Sequence, residues 1–182
     1  MTEENLIKKC ASGNVLAQKT FYEKFAGKMM GVCLRYARDY EEAQDVMQDA
    51  FIKIFGKLPE YQKKGSLEGW VRRIVVNTAL DSYRKNKKHQ QNVDVDTVDY
   101  MLDSKSYIIE EMSANDLLLI IKGLPEGYQM VFNLFAIEGY SHKEIAERLN
   151  ITESTSKSQF SRAKRSLREI LLKKNIVEEG ER

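Results

Sequence analysis

Apolar residues in the first half of the chain recur at the spacing of a helix face. Phe21, Phe25, Met29, Val32, Cys33 and Tyr36 follow steps of three and four residues, which predicts one long amphipathic helix. A short opening helix precedes it, with Leu6, Ile7 and Cys10 inward, and stops near Ser12-Gly13-Asn14. A third helix is predicted from about Glu41 to Gly56, with Ala43, Val46, Met47, Ala50, Phe51 and Ile54 facing a core. Its opposite side carries Glu41, Glu42, Asp45, Gln48 and Asp49. The run Pro59-Glu60-Tyr61-Gln62-Lys63-Lys64-Gly65-Ser66 breaks the pattern. A fourth helix then extends from about Leu67 to Lys85, with Arg84, Lys85, Lys87 and Lys88 at its end.

From about His89 to Ser113 the periodicity fades. Strict alternation over Asn92-Val93-Asp94-Val95-Asp96-Thr97-Val98-Asp99 imitates a strand, but an isolated acidic strand without a partner is not stable. The segment is therefore read as a linker. Helices resume near Ala114 and continue to about Lys174, with breaks at Gly123-Leu124-Pro125, Gly139 and Asn150. The expected fold is all-α: a helical domain over 1–88, a flexible acidic linker over 89–113, a second helical domain over 114–174 and a tail over 175–182.

The stretch after Gly139 is the richest in local signals. Ser141 and Glu144 have the spacing of a capping box, which fixes a helix start. Ile145 and Leu149 lie one turn apart on its inner face, and small Ala146 lets a second helix come close. Asn150 suits the left-handed residue of a tight turn, Ile151 plugs that turn, and Thr152 can cap the next helix. This is the layout of a helix-turn-helix. Along the second helix Phe160, Ala163, Leu167, Ile170 and Leu171 form the inward set. Ser154, Lys157, Ser158, Ser161, Arg162 and Arg165 form the outward one, with no acid between Ser154 and Arg165. Short hydroxyls let a helix axis sit deep in a major groove, while Lys and Arg reach phosphates or guanine edges. An ordinary solvated face usually interleaves Glu with Lys, so DNA binding is the favoured reading.

Charge supports that reading only when taken locally. The net charge of +2 hides nine basic residues against four acidic ones between Gly139 and Lys174, and a reversed balance between Gln91 and Asp116. A basic block behind an acidic stretch suits a polyanion-binding module on a tether. Two cysteines (Cys10, Cys33) and two histidines (His89, His142), with no Cys-x-x-Cys or His-Glu-x-x-His, leave nothing for a zinc site, and no metal or cofactor is expected. Phosphate-loop, dinucleotide and nucleophile-elbow motifs are absent as well, so an enzyme is not expected. No apolar run reaches about 18 residues, and the N-terminus is acidic without a following apolar stretch. No membrane insertion is expected, and the cytoplasm is the expected location.

The two motif sets together resemble bacterial sigma factors of the sigma-70 family, in the extracytoplasmic-function (group 4) class. The run from Leu124-Pro125 to Leu171 resembles region 4, and the first half is similar to region 2. Asp45-Val46-Met47-Gln48-Asp49-Ala50-Phe51-Ile52-Lys53 matches the core-binding helix, and Trp70 to Asp81 matches the promoter-recognition helix. The resemblance implies a dissociable promoter-specificity subunit whose partners are bacterial core RNA polymerase, promoter DNA and an anti-sigma factor. It implies that Asp45, Gln48 and Asp49 dock on the polymerase coiled coil. It implies that Tyr61 stacks on a flipped base of the −10 strand and that Asn77 lines the pocket of that base. Lys63, Lys64, Arg72, Arg73 and Arg84 (with Lys85, Lys87 and Lys88) would contact its phosphates. Trp70, at the start of an apolar face, reads as core rather than as a second stacking platform. Ser154, Lys157, Ser158, Ser161, Arg162 and Arg165 would meet the −35 duplex.

Two departures stand out, because many relatives have valine where Ser156 stands and arginine where Gln159 stands. Ser156 lies on the inward side of its helix, so its neighbours must absorb a hydroxyl. Gln159 removes a cation. Two competing readings remain: a stand-alone dimeric helix-turn-helix regulator with a palindromic site, and a nucleic-acid enzyme with Asp45, Asp49 and Asp81 as metal ligands.

Overall fold

A computed structural model describes residues 2–90 and 114–173 of the 182-residue chain. The expected linker and tail lie almost wholly outside these residues. The backbone separates into two compact units, Met1–Asp94 and Val95–Arg182, and the described residues of both are helical without strands.

The first unit contains α1 (Glu3–Ala11), α2 (Val15–Tyr36), α3 (Tyr40–Lys57) and α4 (Leu67–Gln90). Polar side chains start the helices by accepting orphan backbone N–H groups: Asn14 Oδ1 from Ala17 at 2.9 Å, Asp39 Oδ1 from Glu42 at 2.8 Å and Ser66 Oγ from Gly69 at 3.1 Å. The core is the predicted apolar set, with Phe21, Phe25, Met29, Val32, Met47 and Ile54 buried against Val71, Val75, Val76 and Leu80 of α4. Each large side chain in that set contributes about 1.5–3 kcal/mol by leaving water. Buried Ala43, Ala50 and Ala79 keep the helix axes close, and the Phe21, Phe25, Phe55 and Phe51 rings pack edge-on or tilted at centroid distances of 4.8–5.9 Å. Both cysteines are buried free thiols, and burial pushes the Cys33 thiol up to about 12.

The fourth helix outruns its predicted end near Lys85 and reaches Gln90. Glu42, at the start of α3, supports the turn just past the predicted end: its carboxylate accepts from Ser82 Oγ at 3.2 Å and from Asn86 Nδ2 at 2.5 Å. The same carboxylate takes the Arg38 backbone N–H at 2.8 Å and the Arg38 Nε–H at 3.1 Å. One side chain thus ties the far end of α4 to the turn between α2 and α3, and the basic residues there suit the negative end of the helix dipole.

The second unit contains α5 (Ala114–Lys122), α6 (Glu126–Phe132), a wide π turn over Asn133–Ile137, α7 (His142–Leu149) and α8 (Glu153–Lys173). Ile120, Ile121 and Leu124 pack on Ala163 and Leu167 of α8, with Tyr128, Phe132, Ile170 and Leu171 closing the cluster. The π turn has no counterpart in the sequence reading. Its Glu138 N–H reaches back to the Asn133 carbonyl at 3.0 Å, and the wider turn places Phe135 against His142.

Candidate nucleic-acid interface

The helix-turn-helix is built as its residues dictate. Ser141 Oγ accepts from the Glu144 N–H at 3.3 Å while the Glu144 carboxylate accepts from the Ser141 N–H at 2.8 Å, a complete capping box. Asn150 sits at φ 54°, ψ 50°, the left-handed conformation the turn requires. Thr152 Oγ1 then accepts from the Thr155 N–H at 3.1 Å and opens α8.

Ser156 is fully buried beneath this turn, at 0% exposure. Its hydroxyl shares a 2.9 Å hydrogen bond with His142 Nδ1, and the imidazole stacks on Phe135 with centroids 4.3 Å apart at 14°. Phe160 meets both rings, at 4.5 Å from Phe135 and 5.8 Å from His142. The neighbour that absorbs the hydroxyl is therefore a histidine on the first helix of the motif, which the sequence reading did not identify. Gln159 is half-buried, and a Cβ added to Gly127 at the start of α6 would meet its Nε2 at 3.0 Å. The residue that replaces a cation thus lies against α6.

Ser154, Lys157, Ser158, Ser161, Arg162 and Arg165 are all exposed along one side of α8. The hydroxyls differ in commitment. Ser154 Oγ joins the capping cluster through Thr152 Oγ1 at 2.9 Å, and Ser158 Oγ donates to the Thr155 carbonyl at 3.0 Å. The face is less purely cationic than expected, because Glu153 stands one residue ahead of the acid-free window. Its Oε1 lies 2.7 Å from Lys157 Nζ. That hydrogen bond and the lysine charge hold the Glu153 carboxyl below its usual value.

In the first unit the expected strand-capturing residues Tyr61, Lys63 and Lys64 lie in the loop that precedes α4, and Arg72, Arg73, Asn77 and Arg84 lie along that helix. Tyr61 donates its O–H to the Gly65 carbonyl at 3.1 Å, closing the loop on itself. Lys63 occupies φ 55° and Gly65 φ 88°, so two left-handed residues shape the bend. Lys63 Nζ also pairs with the Glu4 carboxylate of α1, while Lys64 is exposed. Trp70 corrects the expectation of a core residue. It is half-buried and its ring lies 5.1 Å from that of Tyr61, so the two make one partly exposed aromatic pair. Along α4, Arg72 and Asn77 are half-buried and Arg73 is exposed. Arg84 is exposed and bound to Asp81, which Lys53 also reaches at 3.3 Å. Asp81 therefore has two cationic partners, one of them on the helix that carries Asp45 and Asp49. Among the described residues no cluster of three or more His, Cys, Asp or Glu is placed to hold a metal ion.

Comparison with known proteins then decides the family. The model of sigma-70 region 2 matches residues 21–89, and that of sigma-70 region 4 matches residues 114–167. RNA polymerase sigma factor SigZ of Bacillus subtilis is 30% identical over 73% of this chain and 74% of its own. The chain belongs to the extracytoplasmic-function class of the sigma-70 family. RNA polymerase sigma-H factor of Pseudomonas aeruginosa is 24% identical with 91% of each chain covered, and the sigma-E factor of Escherichia coli is 24% identical over 92% of this chain and 93% of its own. Among solved structures, the sigma factor RpoE of Bartonella quintana, in complex with the anti-sigma factor NepR, shares the fold. Its TM-score is 0.53 and its identity 20%, covering 85% of this chain and 98% of that one.

Within the residues matched by sigma-70 region 2, α3 presents a continuous outward stripe. Asp45, Gln48 and Asp49 are exposed at helical spacing, and Ile52 continues the stripe one turn on. Ile52 is 71% exposed, an aliphatic side chain in water beside two carboxylates. The sequence reading had the residue in its core-binding motif but gave it no role. The signal was available, since 45, 48, 49 and 52 follow the i, i+3, i+4, i+7 rule. No helix among the described residues is long and apolar enough to cross a membrane.

Proposed function

We propose that this sigma factor is a non-enzymatic promoter-specificity subunit of bacterial core RNA polymerase, working in the cytoplasm. In this reading residues 1–88 hold the polymerase and the −10 element, and 114–174 hold the −35 element. Asp45, Gln48 and Asp49 supply the polymerase-docking stripe. Tyr61 and Asn77 capture a flipped base, with Lys63, Lys64, Arg72, Arg73 and Arg84 on the neighbouring phosphates. Ser154, Lys157, Ser158, Ser161, Arg162 and Arg165 face the −35 duplex. An anti-sigma factor that covers the polymerase-binding faces would control it, as the structural relative's pairing with NepR suggests.

The observation that carries the reading is the outward face of α8. Its capped entry, left-handed Asn150 turn and packed inner side leave a row of short hydroxyls and cations exposed where a recognition helix needs them. The test is run-off transcription with purified core polymerase on fragmented DNA from the source genome, with and without the chain. New start sites sharing −35 and −10 elements are expected. Lys157→Gln should weaken selection of the first element, and Asn77→Ala that of the second. Absence of core binding in a pull-down, or a chain that dimerises and binds a palindrome without polymerase, would overturn the proposal.

A further inference from the structure

One acid stands on a face that otherwise offers DNA only hydroxyls and cations. Glu153 is the first residue of α8, and its carboxylate holds Lys157, four residues on, at 2.7 Å. Both side chains are roughly half exposed, at 49% and 59%, so the pair is formed in water at the edge of the recognition face rather than in the core. A helix pair of this kind contributes little stability, so a structural role is a weak account of it.

The chemistry of the groove gives a stronger one. A lone lysine is a flexible point charge whose nearest attraction on DNA is a phosphate, which carries no sequence information. A carboxylate beside it changes both properties. It restrains the ammonium through the hydrogen bond, and its negative charge repels the phosphate that would otherwise claim the lysine. It also accepts only from donors, and the donors on the major-groove floor are the exocyclic amines, chiefly cytosine N4. An ammonium and a carboxylate held side by side therefore match guanine O6 or N7 beside a cytosine amine. The surroundings favour the ionised acid. After Lys157, the charges of His142 and Lys143 also help to hold the Glu153 carboxyl low.

We propose that Glu153 is a specificity-determining residue of the −35 interface, restraining Lys157 for a guanine edge and accepting from the amino group of a neighbouring cytosine. This rests on the reading of α8 as the recognition helix.

The test compares wild type with Glu153→Gln and Glu153→Ala, each assembled with core polymerase and challenged with a promoter library randomised over the −35 element. Both substitutions lie at an exposed helix start, and thermal unfolding checks that each variant is folded. The wild type should prefer a guanine–cytosine pair at one position, and both variants should lose most of that preference there while keeping the others. Bound to a non-promoter duplex without polymerase, the variants should gain about fivefold in affinity, with a salt slope steeper by about one. A uniform change across all positions, or none, would overturn the proposal and leave the pair as an ordinary surface contact. If the wild type itself selects no −35 sequence, or Lys157→Gln and Arg162→Gln leave selection intact, then the recognition-helix reading has failed, and the inference with it.

Discussion

The buried Ser156–His142 bond gives a sharp energetic prediction, because its two ends are not equivalent. Replacing His142 by Phe keeps a ring over Phe135 but strands a hydroxyl at 0% exposure beside apolar rings. A stranded buried group costs about 1–3 kcal/mol. Part is recoverable, since a helical serine can turn its hydroxyl back to the carbonyl four residues earlier. His142→Phe should therefore cost about 1–2 kcal/mol. Ser156→Ala leaves only one ring nitrogen of a half-buried residue without its partner, so it should cost less, about 0.5–1 kcal/mol. The double variant removes both polar groups together and should fall within about 0.5 kcal/mol of wild type, because an apolar pair of similar shape is nearly neutral. The coupling is then about 1.5–3 kcal/mol in favour of the pair. Hydrogen exchange on peptides from α7 and α8, followed through urea unfolding of the full chain, isolates the second unit from the first. Simple additivity of the two single costs would refute the reasoning.

Other outcomes follow from the same geometry. Asn150→Val should destabilise the second unit by about 1–2 kcal/mol because its φ is 54°, whereas Asn150→Gly should change it by only a few tenths, both measured by the same exchange experiment. Burial alone would raise the Asp81 carboxyl, but the hydrogen bonds and charges of Arg84 and Lys53 outweigh it and hold it below 3.8. Its contribution to stability is thus present above 3.8 and lost as pH falls through the lowered value. With the side chain 44% exposed that contribution is about 0.2–1 kcal/mol, so Asp81→Asn should lower urea stability at pH 7 by that amount and by progressively less below pH 4. Ile52→Ser should leave the melting temperature unchanged, given 71% exposure, while core binding in a pull-down weakens. An unchanged pull-down would remove Ile52 from the docking stripe.

Which parts of this molecule a sequence can show depends on how far apart the interacting residues lie. The entry to α7, the Asn150 turn and the start of α8 were all legible, because capping boxes and left-handed turns act over three or four residues. The helix faces were legible for the same reason. The contacts that shape the interface span longer separations and were missed. His142 meets Ser156 across 14 residues, Glu42 meets Asn86 across 44 and Glu4 meets Lys63 across 59. Periodicity placed Ser156 inward correctly but has no term for what a side chain meets there. Trp70 failed in the opposite way, since it stands at the start of an apolar face, yet Leu67 and Val71 carry the buried side of that turn and Trp70 lies beside them, half-buried against Tyr61. The π turn was invisible because one extra residue in a turn leaves no mark on composition.

Surface ion pairs also bear on why such a chain would draw on a second source of binding energy. Two cations proposed for phosphate contact already face a carboxylate: Lys63 faces Glu4 and Arg84 faces Asp81. When a phosphate takes one of these cations, the displaced partner is a fixed protein charge that stays nearby and repels it. A mobile counterion would instead diffuse away, and its release is the origin of a slope of about 0.9 per phosphate contact. Each internal pair therefore removes part of that gain. The pairs are exposed and individually weak, so exchange for a phosphate is accessible once the DNA is held in place by other means. On the proposed reading, weak binding of the isolated chain and firm binding within a polymerase complex are two expected consequences of one arrangement. In that reading it offers enough cations to follow a promoter, with Lys63 and Arg84 checked by an acid until the rest of the assembly brings the phosphates close.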